Sequence, residues 1–250
     1  MPPKVSVVLP VRNGENYLQN ALESVLNQDY EDYELLVGIN PSTDSTLSIA
    51  KSVLGARHPG IIRYKDSVSM PANFNRTAAS ATGKYIKFLC HDDELHPNAL
   101  RLLIEEFERN SKNVLVSSYE SFLGKERSPR GVESFGSRLT VNPIRSLYRF
   151  SKYANWLAGP SGVMVKSEAF SKTMFDENFS CAFDLDCWIR MSRLGSFAIV
   201  PAELYYSRIH PNQGTHYCNQ GGFSNDLIRI RSKCLTSSDS ALRIIFKIFR

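Results

Sequence analysis

The chain has 250 residues, 42% hydrophobic and 22% charged, ordinary globular values that predict a packed core of one large domain or two fused half-domains. A net charge of +5 suits an anionic ligand or a membrane surface and does not call for nucleic acid; no basic stretch is interleaved with aromatics as in single-strand binders. The five cysteines (Cys90, Cys181, Cys187, Cys218, Cys234) are odd in number and contain no C-x-x-C pair, which argues against a disulfide scaffold or a zinc ribbon and for a reduced, cytosolic setting.

Met1-Pro2-Pro3-Lys4 leads straight into a strand pattern, without the apolar h-region and cleavage site of a signal peptide. No apolar run approaches the roughly 20 residues that span a bilayer. The strand is 5-VSVVLP-10. A helix over 16–28 follows, with Leu18, Ala21, Leu22, Val25 and Leu26 on one face. Next come a strand at 33–39, a helix at 42–54 opened by Ser and Thr caps, a short strand at 61–66, and a helix at 72–81 stopped by Gly83. The run 84-KYIKFLC-90 is a strand, 97–110 a helix with Pro at its start, and 113–124 a strand. Repeated strand–helix units with continuous apolar strands predict a mostly parallel sheet covered on both faces. Ligands of such sheets bind at the carboxyl ends of strands. Pro10-Arg12-Asn13, Asn40 and His91-Asp92-Asp93 all fall there.

The second half is less regular. Residues 125–142 are polar and rich in Gly, Ser and Arg, a flexible loop by composition. Then come a helix near 143–153, the stretch 158-AGPSGVMVK-166, a helix at 184–195, strands near 197–201 and 204–210, and a final helix.

Two acidic clusters carry candidate chemistry. Asp92 and Asp93 end a strand, where Mg²⁺ or Mn²⁺ often takes one or two carboxylates and completes its shell with phosphate oxygens and water. The alternative is that Asp93 and Glu94 favour the next helix's N-terminus through its dipole. Asp184, in the apolar setting of Phe183, Leu185 and Trp188, is either a general base or a simple helix cap. His210 is a structural histidine or a ligand. Arg12, Arg76 and Arg208 are candidate phosphate partners.

These segments, in this order, resemble the family 2 glycosyltransferases over residues 4–215. The stretch 5-VSVVLPVRNGENYLQNALESVLNQ-28 is similar to that family's opening strand–loop–helix, 35-LLVGINPSTDST-46 to its second strand and turn, and 73-NFNRTAASATGKYIKFLCHDDEL-95 to the run into its metal-binding D-x-D. Likewise 176-DENFSCAFDLDCWIRM-191 looks like the segment carrying its catalytic base, and 207-SRIHPN-212 like its "Y-R-x-H".

The resemblance implies a GT-A fold, one domain over 1–240 with a donor-binding half (1–124) and an acceptor and base half (125–240). It implies an inverting transfer from a nucleotide diphosphate sugar, favouring UDP, to a glycan or lipid-linked acceptor in surface polysaccharide synthesis. Asp184 matches the base, Asp92 the last aspartate of D-x-D, and His210 a histidine near the metal or diphosphate; the implied cation is Mg²⁺ or Mn²⁺. Pro10, Val11, Arg12 and Asn13 match the loop holding base and ribose, Asn75 and Arg76 border the nucleotide pocket, and His91 joins Asp92 at the donor edge. Three positions depart from the pattern: Cys90 replaces the first D-x-D aspartate, Ile39-Asn40 an aspartate pair, and Arg12 a tyrosine. Asn40 still offers amide hydrogen bonds to a pyrimidine.

The tail 241-ALRIIFKIFR-250 sets Arg243, Lys247 and Arg250 on one helical face. It either meets an anionic membrane from the cytoplasmic side or packs on the domain. Two competing functions stand beside the transferase: a non-catalytic nucleotide-sugar-binding relative, suggested by Cys90 and Asn40, and a sugar-phosphate nucleotidyltransferase. Against the latter, 10-PVRNGE-15 is not its Gly-rich basic loop. No G-x-G-x-x-G marks a dinucleotide dehydrogenase.

Overall fold

The computed structural model describes residues 2–123, 139–153, 157–211, 213–214 and 218–248. Most of the predicted 125–142 loop and Arg250 of the predicted tail face lie outside the described residues.

The first half follows the sequence pattern: β1 (Val5–Val11), α1 (Leu18–Leu26), β2 (Tyr33–Ile39), α2 (Thr46–Leu54), β3 (Ile61–Arg63), α3 (Met70–Ala78) and β4 (Tyr85–Phe88). All seven residues of β1 are buried, as a strand covered on both faces requires. The α1 helix buries Leu18, Ala21, Leu22 and Val25, whereas Leu26 is 47% exposed and ends the stripe. At α3 the Ser69 hydroxyl accepts the Ala72 N–H at 3.4 Å, with proline in the first turn. Gly38 lets α3 lie directly on β2, because a Cβ there would overlap Thr77.

After β4 come β5 (Glu94–Leu95), α4 (Ala99–Arg109), β6 (Asn113–Leu123), β7 (Leu139–Val141), α5 (Pro143–Tyr153), a tight turn at Pro160–Gly162, β8 (Val163–Lys166), α6 (Ser167–Thr173) and α7 (Phe183–Met191). The chain ends in β9 (Ser196–Arg208), a π-helical turn at Cys218–Gly222, α8 (Phe223–Thr236) and α9 (Ser240–Ile248).

Among the described residues one nine-stranded sheet runs β3-β2-β1-β4-β8-β6-β9-β5, with β7 also on β9. From β3 to β4 it is parallel; β8 enters antiparallel to both β4 and β6, and β6–β9 is parallel again. The sheet is therefore parallel only where strand–helix alternation persists, and mixed beyond. The two strands predicted near 197–201 and 204–210 are one. The β6–β9 register shifts at Pro201–Ala202, where a proline without an N–H interrupts the ladder as a bulge and the strand continues.

The reduced setting expected from the cysteine count does not hold for two of the five: Cys181 and Cys218 form a disulfide with Cα atoms 5.4 Å apart. Cys90, Cys187 and Cys234 are free. A pairing across 37 residues leaves no spacing signal to read.

Candidate active site

Strand order reverses at β1, which lies between β2 and β4, so the cleft opens at the carboxyl ends of β1 and β4. The loop after β1 is tied to the loop after β2. Asn13, at φ +51°, takes the left-handed conformation that asparagine tolerates. Its N–H donates to Ser42 Oγ (3.1 Å) and its Oδ1 accepts the Thr43 N–H (3.0 Å). The Gly14 N–H donates to Thr46 Oγ1 at 2.8 Å. Gly14 is needed here: a Cβ would stand 2.8 Å from His91 Cδ2. Arg12 is exposed, Pro10 and Val11 are buried in β1.

The β4 edge holds the acidic cluster. Cys90 Sγ and carboxylate oxygens of Asp92 and Asp93 lie within 4.8 Å of one another. His210 Nε2 is 3.0 Å from Asp92 Oδ2, joining residues 118 apart in sequence. Beside them the Tyr17 ring lies 4.7 Å from the His210 ring and 4.8 Å beneath the Arg208 guanidinium. Arg208 pairs with Glu94 and its Nε donates to the Asp92 carbonyl at 3.3 Å. Burial pushes the His91 imidazole down, against the pull of the Asp92 carboxylate.

Asp93 plays a different part. Burial, then the charge of Asp92, pushes its carboxyl up to about 8, while the Ser161 hydroxyl and the Arg208 N–H (3.1 Å) bond to it. It fixes the loop to β9. Asp92, with His210 opposite, is the carboxylate of this edge not given over to such internal bonds, and one carboxylate with an imidazole fits a divalent cation whose other ligands are phosphate oxygens and water.

Asp184 stands in the first turn of α7 and is 8% exposed. The N-cap position of that helix is Ala182, while Asp184 Oδ1 accepts the Leu185 N–H of the first turn at 2.8 Å. Asp226, from α8, accepts the N–H groups of Ser180 (3.1 Å), Cys181 (2.9 Å) and Ala182 (3.1 Å) with one carboxylate oxygen. The α7 helix is seated against β4 by aromatic contacts: Phe88 meets Phe175 at 5.3 Å, and Phe175 meets Phe183 at 5.0 Å and Trp188 at 5.7 Å. Asp186 is a tie, bonded to Arg190 and Lys233.

Three expected donor-binding residues have internal partners. The Asn40 amide pairs with the Val68 peptide in both directions (2.8 and 3.2 Å), and its Oδ1 also accepts from Arg76 at 2.9 Å. This removes the free amide expected to read a pyrimidine. Arg76 lies 3.7 Å over the Tyr64 ring and donates to the Asp66 carbonyl, so it braces the 64–69 loop. Asn75 pairs both ways with the Phe175 backbone (2.8 and 2.9 Å), tying α3 to the approach to α7.

The sequence reading missed Asp226, Tyr17, Ser161 and Lys87. Lys87 alone left a local signal: a cation inside an apolar strand run. The others act through contacts distant in sequence.

The glycosyl transferase family 2 model matches residues 6–178. An uncharacterized glycosyltransferase of Rickettsia prowazekii is 30% identical over 217 residues, covering 86% of this chain and 66% of the relative. The chondroitin synthase of Pasteurella multocida is 26% identical over 209 residues, 83% of this chain and 21% of that protein. The chain thus spans about two thirds of the length of the Rickettsia relative, and less of others. Among solved structures, S. aureus TarS 1–349 in complex with UDP-GlcNAc superposes with a TM-score of 0.80 at 17% identity, covering 98% of this chain and 71% of that one. The mannosyltransferase PcManGT of Pyrobaculum calidifontis, with GDP-Man and Mn²⁺, gives 0.69 at 15%, covering 99% and 69%. With its mixed sheet, its carboxyl-edge cleft and a family match over most of its length, the chain belongs to glycosyl transferase family 2.

Proposed function

We propose that this chain transfers a sugar, with inversion, from a nucleotide diphosphate sugar to a hydroxyl of a glycan or lipid-linked acceptor. The observation that carries the reading is the Asp92–His210 pair at 3.0 Å on the carboxyl edge of the sheet. In this reading residues 1–124 bind the donor and 125–240 supply the base and the acceptor side of one domain. The acceptor oxygen attacks the anomeric carbon on the face opposite the diphosphate, its proton passes to the Asp184 carboxylate, and the electron pair of the breaking bond leaves with the diphosphate. Asp226 supports this role for Asp184 by fixing the segment that leads into α7 through three backbone amides, Ser180 to Ala182. A Mg²⁺ or Mn²⁺ ion held by Asp92 with His210 would offset charge on the departing diphosphate; a unit charge pair at 4 Å is worth about 4 kcal/mol at an effective dielectric near 20. Arg12, exposed beside the β1 edge, adds positive charge on the same side.

UDP is the carrier we favour, in line with the TarS complex. The chondroitin synthase relative supports a polysaccharide product. A screen of UDP-, GDP-, dTDP- and CMP-sugars by thermal shift, with and without Mn²⁺, tests this. A UDP-sugar should stabilise the protein only with metal, and not in Asp92→Ala; stabilisation by none of the donors sinks the reading.

A second reading, a non-catalytic nucleotide-sugar-binding relative, draws on Asn40 being committed to Val68 and Arg76. It predicts donor binding without hydrolysis or transfer.

We also infer contact with the anionic cytoplasmic face of a membrane through α9. Leu242 and Phe246 pack inward, so the contact rests on the exposed Arg243, Ile244 and Lys247. No helix among the described residues is long and apolar enough to cross a membrane. Pelleting with anionic liposomes should fall in a chain ending at Asp239; unchanged pelleting contradicts it.

A further inference from the structure

Lys87 is 1% exposed on β4, a central strand of the sheet. Its ammonium donates to two main-chain oxygens, the Phe88 carbonyl at 2.9 Å and the Ser161 carbonyl. Taking an ammonium out of water is costly, and a methionine of the same length would fill the space without that cost.

Ser161 is 2% exposed and sits in the turn before β8, the strand that pairs with β4 at Lys87↔Met164. Its hydroxyl oxygen accepts the Cys90 N–H at 2.9 Å, and the hydroxyl bonds the Asp93 carboxyl. Asp93 in turn accepts the N–H of Arg208, two residues before His210. The bonds run from Lys87 through Ser161 to both sides of the edge that carries Asp92 and His210.

We propose that Lys87 is a positioning residue for the cation edge: by fixing the Ser161 carbonyl it sets the hydroxyl that holds the Cys90–Asp93 loop, and so the geometry of Asp92 against His210. The inference rests on the proposed role of Asp92 and His210. Supports bonded directly to a metal ligand are typically worth ten- to hundredfold in metal affinity, and Lys87, which acts through Ser161 and Asp93, belongs at or below the low end of that range.

The test is Mn²⁺ binding in the presence of UDP, measured by titration calorimetry on the wild type, Asp92→Ala, Lys87→Met, Ser161→Ala and the double variant, with thermal unfolding alongside. Lys87→Met should weaken Mn²⁺–UDP binding by about three- to tenfold while Tm stays close to the wild type, because losing the ammonium's desolvation cost offsets the lost bonds. A merely structural lysine would lower Tm and leave the affinity alone. Ser161→Ala should weaken binding similarly, and the double variant should be little worse than either single one. Should Lys87→Met fail to fold, Ser161→Ala still decides: unchanged binding in it overturns the proposal. Additive losses would also overturn it, since Lys87 would then act by another route. A wild type that binds no Mn²⁺–UDP overturns the site reading and this inference together. Binding lost in Asp92→Ala but untouched in Lys87→Met and Ser161→Ala overturns the inference alone.

Discussion

One carboxylate oxygen of Asp226, from α8, accepts three successive backbone N–H groups, Ser180 to Ala182, in the segment that leads into α7, the helix that carries Asp184. A negative charge there is favoured by the helix dipole and by the amides that would otherwise go unpaired. Asp226→Ala should cost about 2 kcal/mol, a fall in Tm of roughly 4–8 °C, with Asp226→Asn intermediate. It should also lower kcat more than the donor KM changes, because the first turn of α7 loosens around Asp184. A stability loss with unaltered kcat would separate this tie from the chemistry.

His210 faces Asp92 at 3.0 Å, with the tilted Tyr17 ring 4.7 Å from its own. His210→Ala should weaken Mn²⁺ binding in the presence of UDP ten- to hundredfold. Tyr17→Ala should have a smaller effect in the same direction, since Tyr17 acts through its neighbours, the His210 imidazole and the Arg208 guanidinium. Equal Mn²⁺ affinity in wild type and His210→Ala would remove the histidine from the cation site.

The parallel half of the sheet was legible because period and punctuation are local: the apolar runs of β1 and β2, the stripe of α1, and Pro97 just before α4. So was the convergence of the β1 and β4 loops on one edge, which follows from parallel topology. What stayed hidden depends on contacts between distant segments. Asp226 lies 42 positions after Asp184 by number and looks from sequence like any acidic residue in a helix's first turn. The two-residue β5 exists only because β9 runs past it at Glu94↔Tyr206. Asn40 and Asn75 sit where the family pattern places them, yet their amides replace missing backbone pairings.

Asp176 carries a measurable pH signature. Burial alone would raise its carboxyl, but Lys233 and Asn178 hold it at about 2. A carboxyl depressed in the folded state contributes stability that is complete above about pH 4 and is lost as the pH falls through about 2. The contribution is at most about 2 kcal/mol, since Lys233 is partly exposed. Denaturant unfolding of Asp176→Asn at pH 7 and pH 3 should show a smaller acid-induced loss than the wild type; equal losses would contradict the pairing.

The Cys181–Cys218 bridge joins the approach to α7 with the turn before α8. In the chain-entropy model, closing a loop of this length constrains the unfolded state by roughly 4 kcal/mol. Reduction should add two hydrogens to the intact mass and lower Tm. Protein isolated with both thiols reduced and an unchanged Tm under reductant would contradict the bridge. An intact bridge in cells would count against the cytoplasmic placement.

The central claim is that Asp184 takes the acceptor's proton while Asp92 serves the donor's diphosphate. It is tested most directly by sugar transfer in Asp184→Asn at saturating donor and acceptor, with donor affinity measured on the same protein. The account predicts wild-type donor affinity with turnover reduced by a factor of about 10² to 10⁴. Turnover close to that of the wild type would show that Asp184 is not the base.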